Sequence, residues 1–235
     1  RVTISTFVAT RTSAASARAS VAEAPPPQGD GLLRFRVVDG ATAKPIPCKL
    51  TFLGVGNTLD PAFSRSDEPR QETRAIAAYN RVFSLSGEGS LKVPQGSYTV
   101  LVSRGLEWTL AERNLEITAS GARLEAELEH VVETPGWLSA DFHVHASGSF
   151  DSKVPMEARV YEFISDGVDF DRAQVDEVMH DWFGLMRNGQ AVTATGNSDT
   201  HHLHYNLGGY PRNYVAVLDD APKTVTPAMV VAPRP

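Results

Sequence analysis

From Leu32 to Leu128 apolar and polar residues alternate in short runs, and each run closes on turn-forming residues, the pattern of half-buried β-strands. Strands are predicted over Leu33 to Val38, Cys48 to Phe52, Val82 to Leu85, Ser97 to Val102, Leu115 to Ile117 and Arg123 to Leu128. Asp39-Gly40, Gly87-Glu88-Gly89, Pro94-Gln95-Gly96 and Ser120-Gly121 supply turns between them. Pro45 and Pro47 bracket Ile46 at a strand entry, and the polar stretch from Asn57 to Ala78 reads as a long loop. Together these signals predict an antiparallel β-sandwich. Ahead of it, Val2 to Val8 reads as one strand. Thr10 to Pro27 is rich in Ala and Ser, ends in three prolines, and reads as a linker or arm.

The period changes after Pro135-Gly136. Asp151 or Ser152 is placed to cap a helix with Pro155 in its first turn, Val160, Phe163 and Ile164 as its apolar stripe and Gly167 at its end. A second helix is expected from Asp171 to Asn188, with Val175, Val178, Met179, Trp182, Leu185 and Met186 on one face, stopped by Gly189. Ala191 to Thr195 is a further strand. Strands alternating with helices predict an α/β unit. The chain therefore divides into an arm at 1–30, a sandwich at 31–134 and an α/β unit at 135–235, an α+β multidomain protein.

Composition narrows the classes. A hydrophobic share of 42% with 21% charged residues is that of a globular protein, and a formal charge of -6 argues against nucleic-acid binding through a broad basic surface. No apolar run approaches the roughly 20 residues of a membrane-spanning helix. Cys48, the single cysteine, permits neither an internal disulfide nor a thiolate cluster. The start at Arg1 rather than Met is compatible with removal of an N-terminal segment such as a signal peptide and does not by itself fix the compartment. Together with the sandwich and the unpaired cysteine it favours the expectation of a periplasmic or secreted protein over a cytoplasmic one.

The chemistry concentrates in Trp137 to His145. Read as one strand, this stretch puts Asp141, His143 and His145 on one face and Phe142 and Val144 on the other. Asp199 and His201, in Asn197-Ser198-Asp199-Thr200-His201, repeat the i, i+2 spacing. Either pair alone is as compatible with a surface role as with ligation. Both at neighbouring strand ends supply three nitrogens and a carboxylate, a donor set for a divalent cation, with Zn, Mn or Fe suited to it.

Four stretches carry a resemblance: Gly136 to His145, Asp166-Gly167-Val168-Asp169-Phe170, Gly196 to His201, and Tyr210-Pro211-Arg212-Asn213-Tyr214-Val215. In order and wording they resemble the metallohydrolases of the PHP (polymerase and histidinol phosphatase-like) superfamily, CehA/McbA branch. The resemblance implies a (β/α)7-type barrel with more than one divalent metal, zinc foremost, and hydrolysis of small phosphoesters, carbamates or other esters by a metal-activated water. It implies His143, His145, Asp199 and His201 as metal ligands. Asp39-Gly40, Lys44-Pro45-Ile46-Pro47 and Val93 to Val100 similarly resemble the carboxypeptidase regulatory-like (transthyretin-like) module, which implies a supporting sandwich without chemistry of its own.

Around those ligands, Asn197 and Ser198 are read as groups holding Asp199 in place. His202 and His204 are candidates for proton transfer or substrate contact, or members of a wet loop. Arg212 either binds a substrate anion or forms a surface ion pair. Asp151 either caps the helix or lies near the metals, His180 is structural and His130 has no role. The sequence departs from the family where Val168-Asp169-Phe170 runs directly into a helix, since βα connections take about 2–6 residues. The stretch after His145 is also far short of the ~200 or more residues of a barrel. A segment is therefore expected to be absent near Phe170–Asp171, or else the protein is a non-catalytic binding or scaffold relative with a degenerate site.

Overall fold

The computed structural model describes residues 29–141, 143–168, 197–203, 208–210 and 212–216. The strand at Val2 to Val8, the arm after it, the second helix, the strand at Ala191 to Thr195, His180, His204 and the Phe170–Asp171 junction lie outside the described residues.

Nine strands form the sandwich: β1 (Asp30–Asp39), β2 (Cys48–Gly54), β3 (Arg70–Glu72), β4 (Ala75–Ala78), β5 (Arg81–Ser84), β6 (Glu88–Pro94), β7 (Gly96–Ser103), β8 (Ala111–Ile117) and β9 (Ala122–Leu128). One sheet has the order β6-β1-β9 and the other β3-β4-β5-β2-β7-β8. Alternation works as the pattern predicts. Leu33, Phe35 and Val37 of β1, with Leu124, Ala126 and Leu128 of β9, meet Leu50, Phe52, Val100 and Val102 of the facing sheet in one core. Cys48 is buried in it, and burial pushes its thiol up to about 12, so it is an inert filler.

Three expectations are corrected. The sandwich is not wholly antiparallel, because β9 pairs with β1 in parallel. Asn57 to Ala78 is not all loop: β3 and β4 lie within it, hidden because Ala-Ile-Ala-Ala has weak β-propensity and a polar approach. Gly87-Glu88-Gly89 is not wholly a turn either, since β6 starts at Glu88 and pairs along β1 through Pro94.

β4 is buried at all four positions because both faces of its sheet are covered. Ala75 and Ala77 face the sandwich core, whereas Ile76 and Ala78, with Phe83 of β5, pack on Val154, Ala158 and Leu203. Ala158 belongs to α1 (Met156–Ser165), which forms a third layer over the sheet. The helix starts at Pro155 without a side-chain cap, so neither Asp151 nor Ser152 serves as one. Its buried face is Ala158, Arg159, Glu162, Phe163 and Ser165, while the expected Val160 and Ile164 are only half-buried. Gly167, at φ +68, ends the helix as predicted.

The third layer is tied down by charge. Lys49 of β2 points away from the sandwich core and its Nζ lies 2.6 and 2.7 Å from the Asp166 carboxylate oxygens at the end of α1, with both side chains buried. Gly105 packs here as well: a Cβ would sit 1.9 Å from the Asp166 carbonyl oxygen, and its φ of +80 suits only glycine. The remaining described elements are β10 (Trp137–Ala140) and β11 (Asn213–Ala216), an antiparallel pair. The strand expected through His145 therefore stops at Ala140. Among the described residues no helix is long and apolar enough to cross a membrane. Lys49→Met strands the Asp166 carboxylate in the interior and is expected to cost about 3–5 kcal/mol in denaturant unfolding. Lys49→Met with Asp166→Met recovers much of that loss.

Candidate metal centre

The Asp141 side chain gathers three backbone stretches around the histidines. Its buried carboxylate accepts the Gly209 amide at 2.8 Å, the Ser198 amide at 3.2 Å and the His143 amide at 3.3 Å. A buried carboxylate requires such partners, and here they come from separate parts of the chain. The His143 segment and the Asp199 segment then run side by side. Val144 and Thr200 form a parallel bridge, the Asp199 amide donates to the His143 carbonyl at 3.0 Å, and the His145 amide donates to the Thr200 carbonyl at 3.0 Å. Asp199 takes φ +50, a left-handed turn that Asp tolerates.

Arg159 fastens the same segments from below. Only 1% exposed, it donates from Nε to the His145 carbonyl at 2.8 Å and from Nη2 to the Thr200 carbonyl at 3.0 Å. Its Nη1 reaches the His202 carbonyl at 3.2 Å and pairs with Glu162. Complete burial pushes the Glu162 carboxyl pKa up, against the pull of Arg159 and the Gly208 amide. Sequence inspection misses Arg159, because a lone arginine on an amphipathic helix reads as solvated. Glu162 one turn later is the available signal.

On this base the four predicted ligands fall into two overlapping sets. His143 Nε2 and His145 Nε2 are 3.1 Å apart, and Asp199 Oδ1 lies 3.3 Å from the first and 3.1 Å from the second. His201 joins through Asp151, whose Oδ1 is 2.9 Å from His145 Nδ1 and whose Oδ2 is 3.1 Å from His201 Nε2. The His145 and His201 rings stack at 3.9 Å. Of the two readings of Asp151, the structure thus supports proximity to the cluster rather than helix capping.

The hydrogen-bond chemistry leaves lone pairs facing one another. His201 Nδ1 lies 2.8 Å from the Asp199 carbonyl oxygen, which can only accept, so Nδ1 carries the proton. In a neutral ring Nε2 then directs a lone pair at the Asp151 carboxylate. With its Nδ1 proton given to Asp151, His145 likewise directs Nε2 at Asp199 and His143. Between His143 and His145 an Nε2–H tautomer of His143 meets the need for a donor, and at the other contacts a further proton or a cation would. The 3.1–3.3 Å separations are those of hydrogen-bonded pairs and equally those of zinc ligands, which at about 2.0–2.1 Å from the metal in a tetrahedron stand ~3.3 Å apart. Burial acts to raise the Asp151 carboxyl, but its contacts with the His145 and His201 rings outweigh it and hold its pKa below the usual range.

The other predicted residues sit elsewhere. His202 turns away toward the sandwich, with Nδ1 2.7 Å from Asp67 Oδ2. Arg212 directs its guanidinium at three carbonyls, those of Gly209, Gly167 and Asp166, at 2.8, 3.1 and 2.9 Å, and stacks over Tyr210. That is a brace for the end of α1, not a free anion site. Asn197 Oδ1 accepts from Asn213 Nδ2 at 2.9 Å, and Ser198 contributes its amide to Asp141. Burial pushes the Tyr210 phenol up to about 12, with the Asp166 charge adding to it.

No family model and no curated protein matches the chain. Among solved structures, the group B streptococcus pilus 2b backbone protein aligns at 11% identity and TM-score 0.32, over 44% of this chain and 42% of that one. The Bacillus anthracis TIE protein aligns at 16% and 0.28, over 53% and 21%. A DUF3823 family protein from Bacteroides uniformis aligns at 18% and 0.24, over 47% and 51%. The chain thus spans about half or less of each, and at these scores the likenesses carry no functional argument. Arg159→Met removes the fork beneath the cluster and leaves Glu162 unpaired. Unfolding free energy is expected to fall by about 3–5 kcal/mol, read by urea titration.

Proposed function

We propose that the protein is a divalent-metal-dependent hydrolase, a relative of the CehA/McbA branch of the PHP superfamily, acting on small phosphoester, carbamate or carboxylic ester substrates. The observation that carries this reading is the convergence of His143 Nε2, His145 Nε2 and Asp199 Oδ1 within 3.1–3.3 Å. His143, His145 and Asp199 would hold one cation, and His145, Asp151 and His201 form a second candidate set. Zinc suits nitrogen donors of this kind, and Mn or Fe also accept such a set. A cation there supplies Lewis acidity and a bound water with a pKa lowered toward neutrality.

The residues around the cations do identifiable work. Asp151 fixes the His145 ring, so its Nε2 stays available as a donor atom. Asp141 and Arg159 hold the two segments in register, a requirement of any site in which small displacements weaken ligation. The exposure of His143 and Asp199 leaves the cluster open on one side to a small substrate. A barrel built on β10 and α1 belongs to this proposal as well.

A second reading, a non-catalytic scaffold with a degenerate site, is favoured by Asp151, which pairs with both His145 and His201 and would satisfy them without a cation if the rings were protonated. Elemental analysis separates the two. Purified protein is expected to carry at least one equivalent of divalent metal and to hydrolyse an aryl ester or bis-aryl phosphodiester until a chelator is added. His143→Ala and Asp199→Ala should each lower metal content about tenfold or more. Metal-free wild-type protein, with a Tm indifferent to chelator, would establish the scaffold reading.

A further inference from the structure

Leu203 is completely buried, and it is not buried by its own segment. Its side chain sits with Ile76, Ala78 and Phe83 on the outer face of the six-stranded sheet, beside Val154 and Ala158. Both of its backbone polar groups are bound by the sandwich. The Leu203 amide donates to Asp67 Oδ1 at 3.1 Å, and its carbonyl accepts from Arg81 Nη1 at 2.9 Å. Asp67 Oδ2 also takes the His202 ring at 2.7 Å, and the Tyr79 hydroxyl lies 3.4 Å from Oδ1. One sandwich loop and one sandwich strand thus grip two consecutive residues directly after His201.

We infer that Asp67 and Arg81 are positioning residues for the candidate metal centre, so that the β-sandwich, rather than the His-bearing unit alone, sets the geometry of Asp199 and His201. The inference rests on the metal-binding reading of the cluster. The reach is short. His201 is two residues from Leu203, and the carbonyl of the preceding Thr200 accepts both from the His145 amide and from Arg159. A shift at Leu203 therefore travels through Thr200 to the His145 backbone. Metal affinity is sensitive to such displacement, with changes in groups that orient ligands typically costing about 10–100-fold. Neither Asp67 nor Arg81 lies among the donor sets, so their effect on binding runs through the backbone they hold.

The test uses the full chain with Asp67→Asn, Arg81→Met and, as a control, Val93→Ala, which trims the distant sandwich core and lowers Tm without touching the grip. Hydrogen exchange on metal-free protein is read first. Amides of 199–203 are expected to exchange about tenfold or more faster in Asp67→Asn and Arg81→Met, and unchanged relative to global stability in Val93→Ala. Titration with Co²⁺ is read second. Both clamp variants should lose about tenfold or more in affinity with an altered ligand-field spectrum, and the control should lose neither. Unchanged exchange, or faster exchange with wild-type Co²⁺ affinity and spectrum, would overturn the positioning role. Absence of Co²⁺ binding by the wild type would overturn the metal reading itself, and with it the assignment of Asp67 and Arg81 to a metal centre.

Discussion

A buried guanidinium beneath two irregular segments is the constraint on which the site depends. Backbone outside regular structure has carbonyls that need partners, and the His145, Thr200 and His202 carbonyls find theirs in Arg159. Its rigid fork suits several acceptors at fixed angles, which an ammonium could not match. Asp141 does the complementary work on amides, taking those of His143, Ser198 and Gly209. Positive charge collects carbonyls and negative charge collects amides, and the two histidine-bearing stretches are drawn together between them.

Such burial of charge is costly unless every group is paired, and the sheet beneath makes the pairing possible. Because β4 and Phe83 of β5 are covered from outside as well as from the core, this part of the sheet's outer face is itself an interior. α1, Val154 and Leu203 lie against it, and Lys49 reaches out from it to Asp166. The sandwich and the His-bearing unit therefore share a core rather than meeting through a linker.

Much of the sandwich was legible because strand periodicity depends on local sequence alone. Leu33, Phe35 and Val37 declare an inward face by spacing, as do Leu124, Ala126 and Leu128. β4 was not legible. A run of alanines around Ile76 becomes a strand only because other layers close over both sides, and the sequence carries no record of which layers those are. The parallel pairing of β1 with β9 is similarly silent, since alternation fixes faces but not neighbours. Near the site, His143, His145, Asp199 and His201 were identifiable by residue type and spacing. Their grouping was not: Asp151 enters the cluster, while His202 and Arg212 turn to Asp67 and to carbonyls.

By itself the sequence determined which residues are chemically able to bind a cation and which strand positions face inward, because both depend on side-chain identity and a short period. Tertiary structure alone decided that a sandwich aspartate and arginine grip the segment after His201, and that an arginine on α1 sits under both histidine stretches. Those contacts join residues up to 136 positions apart, and no local pattern encodes a meeting that only the packing of three layers brings about.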